Sequence, residues 1–311
     1  MPRTPVVTGV SPVLPTPFHA DGALDRRSFA RVAEHTWSLG VGSVMYPGFA
    51  SEYASLTDAE RHALLAALIA SAPPGALVVA SVSDHATRVA AERATAYAAL
   101  GAGALNVLPP HAGAPPPEAV LDHLATVLAA VAPLPVVVQY VPHETGTRLT
   151  PEELGGLRRA HGNLAAVKVE CRGPGEYVRR LAALGLPGIA GNAGIDLPEA
   201  LAAGAVGVQP GGGFTEVYAD VQRAWDGGRR EEALALHGRL AAHLEHWWPH
   251  PGLSLAMGKA VAWRRGLIDG PYCRRPARTV PSGSGSGSGD PALAEVDRFI
   301  AEFGLGGPAH D

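Results

Sequence analysis

The stretch Leu164-Ala165-Ala166-Val167-Lys168-Val169-Glu170 is short and almost wholly apolar, and its only charges stand at its C-terminal end. A run of this kind reads as a strand buried on both faces, with an amine at the mouth of a packed sheet or barrel. The chain draws nearly all its positive charge from arginine, and Lys259 is its one other lysine. A lysine kept inside an apolar strand therefore calls for a reason. Arginine cannot replace an amine that must lose its proton, and a desolvated amine can attack a carbonyl to form a Schiff base. A lysine that snorkels to the rim, or that pairs with Glu170, fits the strand taken alone equally well.

Outward from this run, seven more apolar runs recur: residues 8–14, 41–46, 76–82, 104–108, 135–140, 188–192 and 205–209. Helical segments lie between them. Asp25 marks the start of one, Thr57-Asp58-Ala59-Glu60 forms a capping box, and Asp84, residues 115–118 and Thr150-Pro151-Glu152-Glu153 begin others. Glycines at 40, 101, 185 and 204 come after several of these helices, where a left-handed residue turns the chain into the next strand. Eight continuously apolar strands alternating with helices predict an α/β fold, a closed (α/β)8 barrel. An open doubly wound sheet is the alternative, but no Gly-x-Gly-x-x-Gly fingerprint stands after the first strand. After Gly212 the pattern turns to helices alone, over 214–226, 229–247, 253–266 and 291–303. The expected division is a barrel over 1–227 and a helical C-terminal extension over 228–311, with a Ser/Gly linker at 282–289.

Composition narrows the function classes. The 311 residues carry a net charge of -4 with no basic patch, which argues against a nucleic-acid partner. No apolar run is long enough to span a bilayer, and residues 1–5 lack the apolar core of a signal peptide, so no membrane partner is expected. Two cysteines make neither a disulfide framework nor a metal cluster, and a cytoplasmic setting is the simplest expectation.

In a barrel of this type, chemistry sits at the C-terminal ends of the strands. The residues there include 46–52, 109–111, 139–145, Lys168 to Glu170, Gly191, Asn192 and Gln209 to Gly213. Lys168 and Glu170 are two apart and point to the same side of their strand. The carboxylate can hold the lysine charged as an ion pair, or can move protons once the lysine has become an imine.

Several of these segments resemble the dihydrodipicolinate synthase and N-acetylneuraminate lyase family, class I aldolases on an (α/β)8 barrel. Thr16-Pro17-Phe18, Asp21-Gly22 and Leu24-Asp25 are similar to its opening; Gly48, Glu52, Leu56 and Glu60-Arg61 occupy its Gly-Thr-Thr-Gly-Glu segment and the residues just after it. Gln139-Tyr140-Val141-Pro142 with Thr145-Gly146 occupies its Tyr-Asn-x-Pro-x-x-Thr-Gly segment, and Gly204 to Val208 its Gly-Ala-x-Gly-Val run. The resemblance covers essentially the whole chain and implies that Lys168 is the Schiff-base lysine. It implies a 2-oxo acid substrate such as pyruvate or a sugar-derived oxo acid, no cofactor and no metal, and a homodimer or homotetramer.

Departures from the pattern shape the expectation. Phe49 and Ala50 stand where the family has two hydroxylated residues that bind the oxo-acid carboxylate, and Ser51 replaces the next glycine. Gln139 stands where the family has its proton-relaying tyrosine, and Tyr140 faces the other way on an ideal strand, so that a bulge would be needed to bring it inward. Glu144 stands where the synthases hold a dicarboxylate with arginine, and His111 falls near the place of a tyrosine lent across a subunit interface. The resulting expectation is a Schiff-base-forming aldolase or dehydratase that is not a true dihydrodipicolinate synthase. Its catalytic residues are Lys168, Glu170 and Tyr140, and its substrate-binding residues are Ser51, Gln139, Glu144, Gly191, Asn192, Gln209 and His111. A hydro-lyase or deaminase on a small cyclic or sugar-acid substrate, or a non-catalytic paralogue that binds a carbonyl ligand, also fits these departures. Glu52 reads as a buried structural carboxylate tying its loop to neighbouring strands, Lys259 as a residue at the surface or edge of its helix, and the tryptophans of His246-Trp247-Trp248-Pro249-His250 as packing.

Overall fold

The structure, a computed structural model, describes residues 7–247, 251–280 and 290–307. The expected Ser/Gly linker and residues 248–250 lie outside the described residues. In chain order the elements are β1 (Gly9–Val10), α1 (Arg26–Ser38), β2 (Ser43–Tyr46), α2 (Asp58–Ser71), β3 (Leu77–Val82), α3 (Thr87–Ala99), β4 (Ala104–Val107) and α4 (Pro117–Val131). Next come β5 (Val136–Tyr140), the short α5 (Pro142–Thr145), α6 (Pro151–Ala160), β6 (Leu164–Val169), α7 (Gly175–Ala183), β7 (Gly188–Ala190), α8 (Leu197–Ala202) and β8 (Gly207–Val208). Four helices complete the chain: α9 (Thr215–Asp226), α10 (Arg230–Trp247), α11 (Pro251–Arg264) and α12 (Pro291–Phe303). All eight expected strands are present, the first and last shortened to two residues each.

The eight strands are parallel and run in the order β1-β8-β7-β6-β5-β4-β3-β2, so from β2 to β8 each lies beside its sequence neighbour and β8 returns to β1. This is a TIM barrel, nearly closed. By internal contacts the chain forms two compact units. One is drawn from the residues up to Ser11, Gly42–Tyr46 and Pro74–Pro210, and it holds the whole sheet with α3 to α8. Its strands are buried on both faces, Val136, Val137, Val138 and Val167 completely, which is why they read as unbroken apolar runs rather than alternating ones. Each such valine withdrawn from water contributes roughly 1.5–3 kcal/mol.

The other unit is drawn from Pro12–Val41, Pro47–Pro73 and the chain from Gly211 onward, and holds α1, α2 and α9 to α12. Its helix starts agree with the sequence signals: the Asp25 carboxylate accepts the Ser28 N–H, and Thr57 and Glu60 close the capping box of α2. Thr150 and Glu153 do the same for α6 in the first unit. Asp84 does not cap. Ala86 stands at the start of α3, and the Asp84 carboxylate instead binds the Arg93 guanidinium at 3.2 Å. Trp247 packs as expected, with Phe299 at 5.1 Å between ring centroids, and its indole N–H donates to Glu295 at 2.6 Å.

Lys259 departs from the expectation of a surface position. Its side chain is 0 % exposed; Nζ donates to the Glu52 carboxylate and, at 2.8 Å, to the Tyr272 carbonyl, and it lies 4.5 Å from the centre of the Phe18 ring. Burial holds its pKa below the usual lysine value, although the Glu52 charge opposes this. Glu52 is the buried structural carboxylate anticipated, but its partners are this lysine and, at 2.8 Å, the Arg274 backbone N–H, not neighbouring strands.

Candidate active site

The site is built from the C-terminal ends of strands in the first unit. Lys168 leaves β6 one residue before its end, opposite Gln139 in β5. The backbone continues in the ladder beyond β6, with the Glu170 N–H donating to the Tyr140 carbonyl at 2.8 Å. The period of two therefore persists and sets both charged side chains on one face. Lys168 Nζ lies 3.2 Å from Glu170 Oε1, and the two residues are 4 % and 5 % exposed.

Neutral donors hold the carboxylate. The Gln139 side-chain amide donates to Glu170 Oε2 and the Asn192 backbone N–H donates to Oε1 at 3.1 Å. Gln139 is itself fixed by Asn106 of β4, whose Nδ2 donates to Gln139 Oε1 at 2.8 Å and to Ser81 Oγ of β3 at 3.1 Å. Gly191 is required by contact: a Cβ there would stand 2.2 Å from Glu170 Cγ. The next residues, Asn192 and Ala193, take left-handed backbone conformations with φ 52° and 53°, strain of about 1–3 kcal/mol each that clusters at functional sites. Gln209 comes just after β8 and donates through Nε2 to Ser11 Oγ at 3.2 Å. The side-chain oxygens Asn106 Oδ1, Asn192 Oδ1 and Gln209 Oε1 are buried without a protein donor. Buried acceptors of this kind are the places a hydroxylated ligand or a water completes.

The structure thus brings Lys168, Glu170, Gln139, Gly191 and Asn192 together. It does not bring Tyr140 to them. The ladder pairs Val138, Gln139 and Tyr140 with Val167, Lys168 and Val169 in unbroken succession, and its one register irregularity falls between Val136 and Val137. With no bulge at Tyr140, its ring turns to the helix layer and stacks on Tyr177 of α7 at 4.3 Å, the two ring planes nearly parallel. Burial pushes its phenol above the usual tyrosine pKa.

The remaining expected residues stand elsewhere. His111, after β4, meets His85, after β3, edge to face at 4.4 Å, and His85 Nδ1 accepts the backbone N–H groups of His111 and Ala112 at 3.3 Å each. Burial, aided by His111 and opposed by Asp84, holds the His85 pKa below the usual histidine value. Glu144 lies on α5 with its side chain 42 % exposed, 4.0 Å from His143. Ser51 belongs to the second unit, where its hydroxyl donates to the Leu14 carbonyl and accepts the Gly48 N–H at 3.0 Å, so the loop's own backbone engages it. Among the described residues no group of three or more His, Cys, Asp or Glu is arranged to hold a metal ion, and no helix is long and apolar enough to cross a membrane.

Sequence reasoning passed over Asn106, Ser81 and His85. A signal for Asn106 existed, since it is the one polar residue inside the apolar run 104–108.

A parallel eight-stranded barrel carrying a buried Lys–Glu pair at the end of its sixth strand defines a class of lysine-bearing α/β barrels. Residues 6–284 match the model of the Dihydrodipicolinate synthetase family, and the chain belongs to that family. It is a lyase of that family. It is 30% identical over 280 residues to the L-2-keto-3-deoxyarabonate dehydratase of Azospirillum brasilense, covering 88% of this chain and 89% of that one. It is 34% identical over 259 residues to the 4-hydroxy-tetrahydrodipicolinate synthase of Acidothermus cellulolyticus, 82% of each chain. Among solved structures, YagE, a prophage protein from E. coli K12 crystallised in complex with pyruvate, superposes with a TM-score of 0.83 over 96% of this chain and 99% of its own at 20% identity.

Proposed function

We propose that this chain is a Schiff-base-forming aldolase or dehydratase acting on a 2-oxo acid, with Lys168 as the nucleophile and Glu170 as the proton carrier. The observation that carries the reading is the pair itself: an amine and a carboxylate 3.2 Å apart, both buried, at the C-terminal end of a barrel strand. The neutral amine adds to the C2 carbonyl of the oxo acid, and the carbinolamine loses water to give an iminium ion. Glu170 is within reach to take the proton the amine must shed. The iminium then accepts the electron pair released at C3, either when the C3–C4 bond breaks to leave an aldehyde or when a C3 proton departs. In the second case the enamine expels hydroxide from C4, which is dehydration. Gln139 and the Asn192 N–H hold the carboxylate in place, and Asn192 and Gln209 present acceptors for substrate hydroxyls. The dehydratase from Azospirillum brasilense and the E. coli protein solved with pyruvate support this substrate class.

The reading excludes true dihydrodipicolinate synthase activity, because Glu144 stands where the resemblance puts a carboxylate-binding arginine, and like charges repel. A cytoplasmic homodimer or homotetramer completes the proposal; the two cysteines are free thiols, and the mass in solution tests the assembly. The test of function is turnover of a panel containing pyruvate with aldehydes and hydroxylated 3-deoxy 2-oxo acids, read by mass spectrometry. Loss of water or release of an aldehyde from a panel member supports the proposal; tight binding of these compounds without turnover overturns it in favour of a carbonyl-binding paralogue.

A further inference from the structure

We infer that Asn106 is a positioning residue for proton transfer, one that fixes which way the Gln139 amide points and so how the Glu170 carboxylate is turned. The inference rests on the proposed role of Glu170 as proton carrier and deepens it.

An amide side chain offers N–H donors on one atom and an acceptor on the other, so each amide in a chain of contacts imposes a direction on the next. Asn106 is completely buried and turns its Nδ2 both to Ser81 Oγ and to Gln139 Oε1. With its oxygen occupied, Gln139 has only its Nε2 to present to Glu170 Oε2, and it does so. An N–H on one carboxylate oxygen fixes the plane of the group, and with it the direction from which a free lone pair can take a proton. Were Gln139 reversed, its oxygen would face a carboxylate oxygen, and the contact would be repulsive.

The groups facing Glu170 make this direction matter. Lys168 of its own strand is the ionisable one, at 3.2 Å; Gln139 from β5 and the Asn192 N–H after β7 are neutral. Once Lys168 is an iminium it keeps one N–H in place of the three an ammonium offers, and the neutral donors take a larger share in orienting the carboxylate toward C3. Asn106 acts on Glu170 through Gln139. Asn106 uses its amino group on both neighbours, while its Oδ1 is buried without a protein donor.

The step at issue is balanced within the site. In the pyruvate imine a C3–H bond breaks, its proton goes to a Glu170 oxygen, and the electron pair forms the C2–C3 double bond of the enamine as the iminium π pair moves to nitrogen; return of a proton reverses it. In D2O this exchanges the methyl protons of pyruvate for deuterium, and NMR tracks the exchange without any second substrate.

The experiment measures two quantities on the full chain with pyruvate: the yield of borohydride-trapped adduct by intact mass, and the rate of methyl exchange at saturating pyruvate. Wild type, Asn106→Leu and Asn106→Asp are compared. Asn106→Asp keeps size and shape but offers only acceptors when ionised, so it turns the Gln139 amide around without removing volume, and it covers the case in which Asn106→Leu does not fold. The expected result is wild-type adduct yield in the variants with exchange slowed at least tenfold. Wild-type exchange in either variant overturns the inference, and so does a parallel loss of adduct and exchange, which marks a structural residue. Absence of any adduct in the wild type instead overturns the Schiff-base reading, and the inference with it.

Discussion

Replacing Gly191 by alanine is a one-methyl test of how closely Glu170 must be held. The backbone at Gly191 has a negative φ, -112°, so the left-handed region that favours glycine is not the issue. Space is. The new Cβ would lie 2.2 Å from Glu170 Cγ and 2.8 Å from its Cδ and Oε1, whereas ordinary contact begins at 3.4 Å. Glu170 must therefore retreat by about 1.2 Å, since Gly191 itself is fixed by its N–H bond of 2.9 Å to the Val169 carbonyl. A shift of that size cannot keep both the 3.2 Å approach to Lys168 and the 3.1 Å bond from Asn192. Overpacking of this kind costs about 1–3 kcal/mol in stability, and a misplacement of about 1 Å costs on the order of 10²-fold in rate. Lys168 itself is untouched. The expected outcome with pyruvate is a retained borohydride adduct and methyl exchange slowed roughly 100-fold. Exchange within about threefold of wild type, with the variant folded, would refute the placement of Glu170 as proton carrier.

Three other outcomes are expected from the contacts of Tyr140, Lys259 and Glu216. Tyr140→Phe should leave exchange within about twofold of wild type, because the ring stacks on Tyr177 away from Lys168; a tenfold loss, read by the same NMR assay, would return a catalytic role to Tyr140. Lys259→Met should destabilise the protein by about 3–5 kcal/mol by leaving Glu52 buried and unpaired, and the added change Glu52→Leu should recover much of it; thermal melts that show no recovery would contradict the ion-pair account. Burial alone would raise the Glu216 carboxyl, but hydrogen bonds from His35 and Arg265 hold it down to about 2, against 4.5 for the free group. Because the folded value is the lower one, the stabilisation is present above about pH 4.5 and is lost as pH falls through 2. Urea midpoints of wild type and Glu216→Gln should differ by a constant amount above about pH 5 and converge below it; a gap that persists to pH 2 would contradict the sign.

The barrel was legible because its strands are buried on both faces, which removes alternation and leaves eight unbroken apolar runs. Lys168 and Glu170 were legible for a related reason: two charges at the end of such a run, two residues apart, have one side to share. What sequence spacing could not supply were contacts between distant positions. Glu52 and Lys259 are 207 residues apart, and helical periodicity on α11 gives no hint that a carboxylate waits for the lysine. The scarcity of lysine, which singled out Lys168, applied to Lys259 with equal force. Asn106 was hidden because its meaning lies in the direction of an amide, which only Ser81 and Gln139 together define. Tyr140 was the opposite case: the ideal alternation already turned it away, and the ladder at that point is regular.

The most direct test of the central claim is reduction of the pyruvate complex with borohydride, with intact-mass and peptide analysis of wild type and Lys168→Ala. The account predicts a mass gain equal to one reduced pyruvate imine in the wild type, located on Lys168 and absent from the variant. An adduct of equal yield in Lys168→Ala, or one located on Lys259, would contradict it.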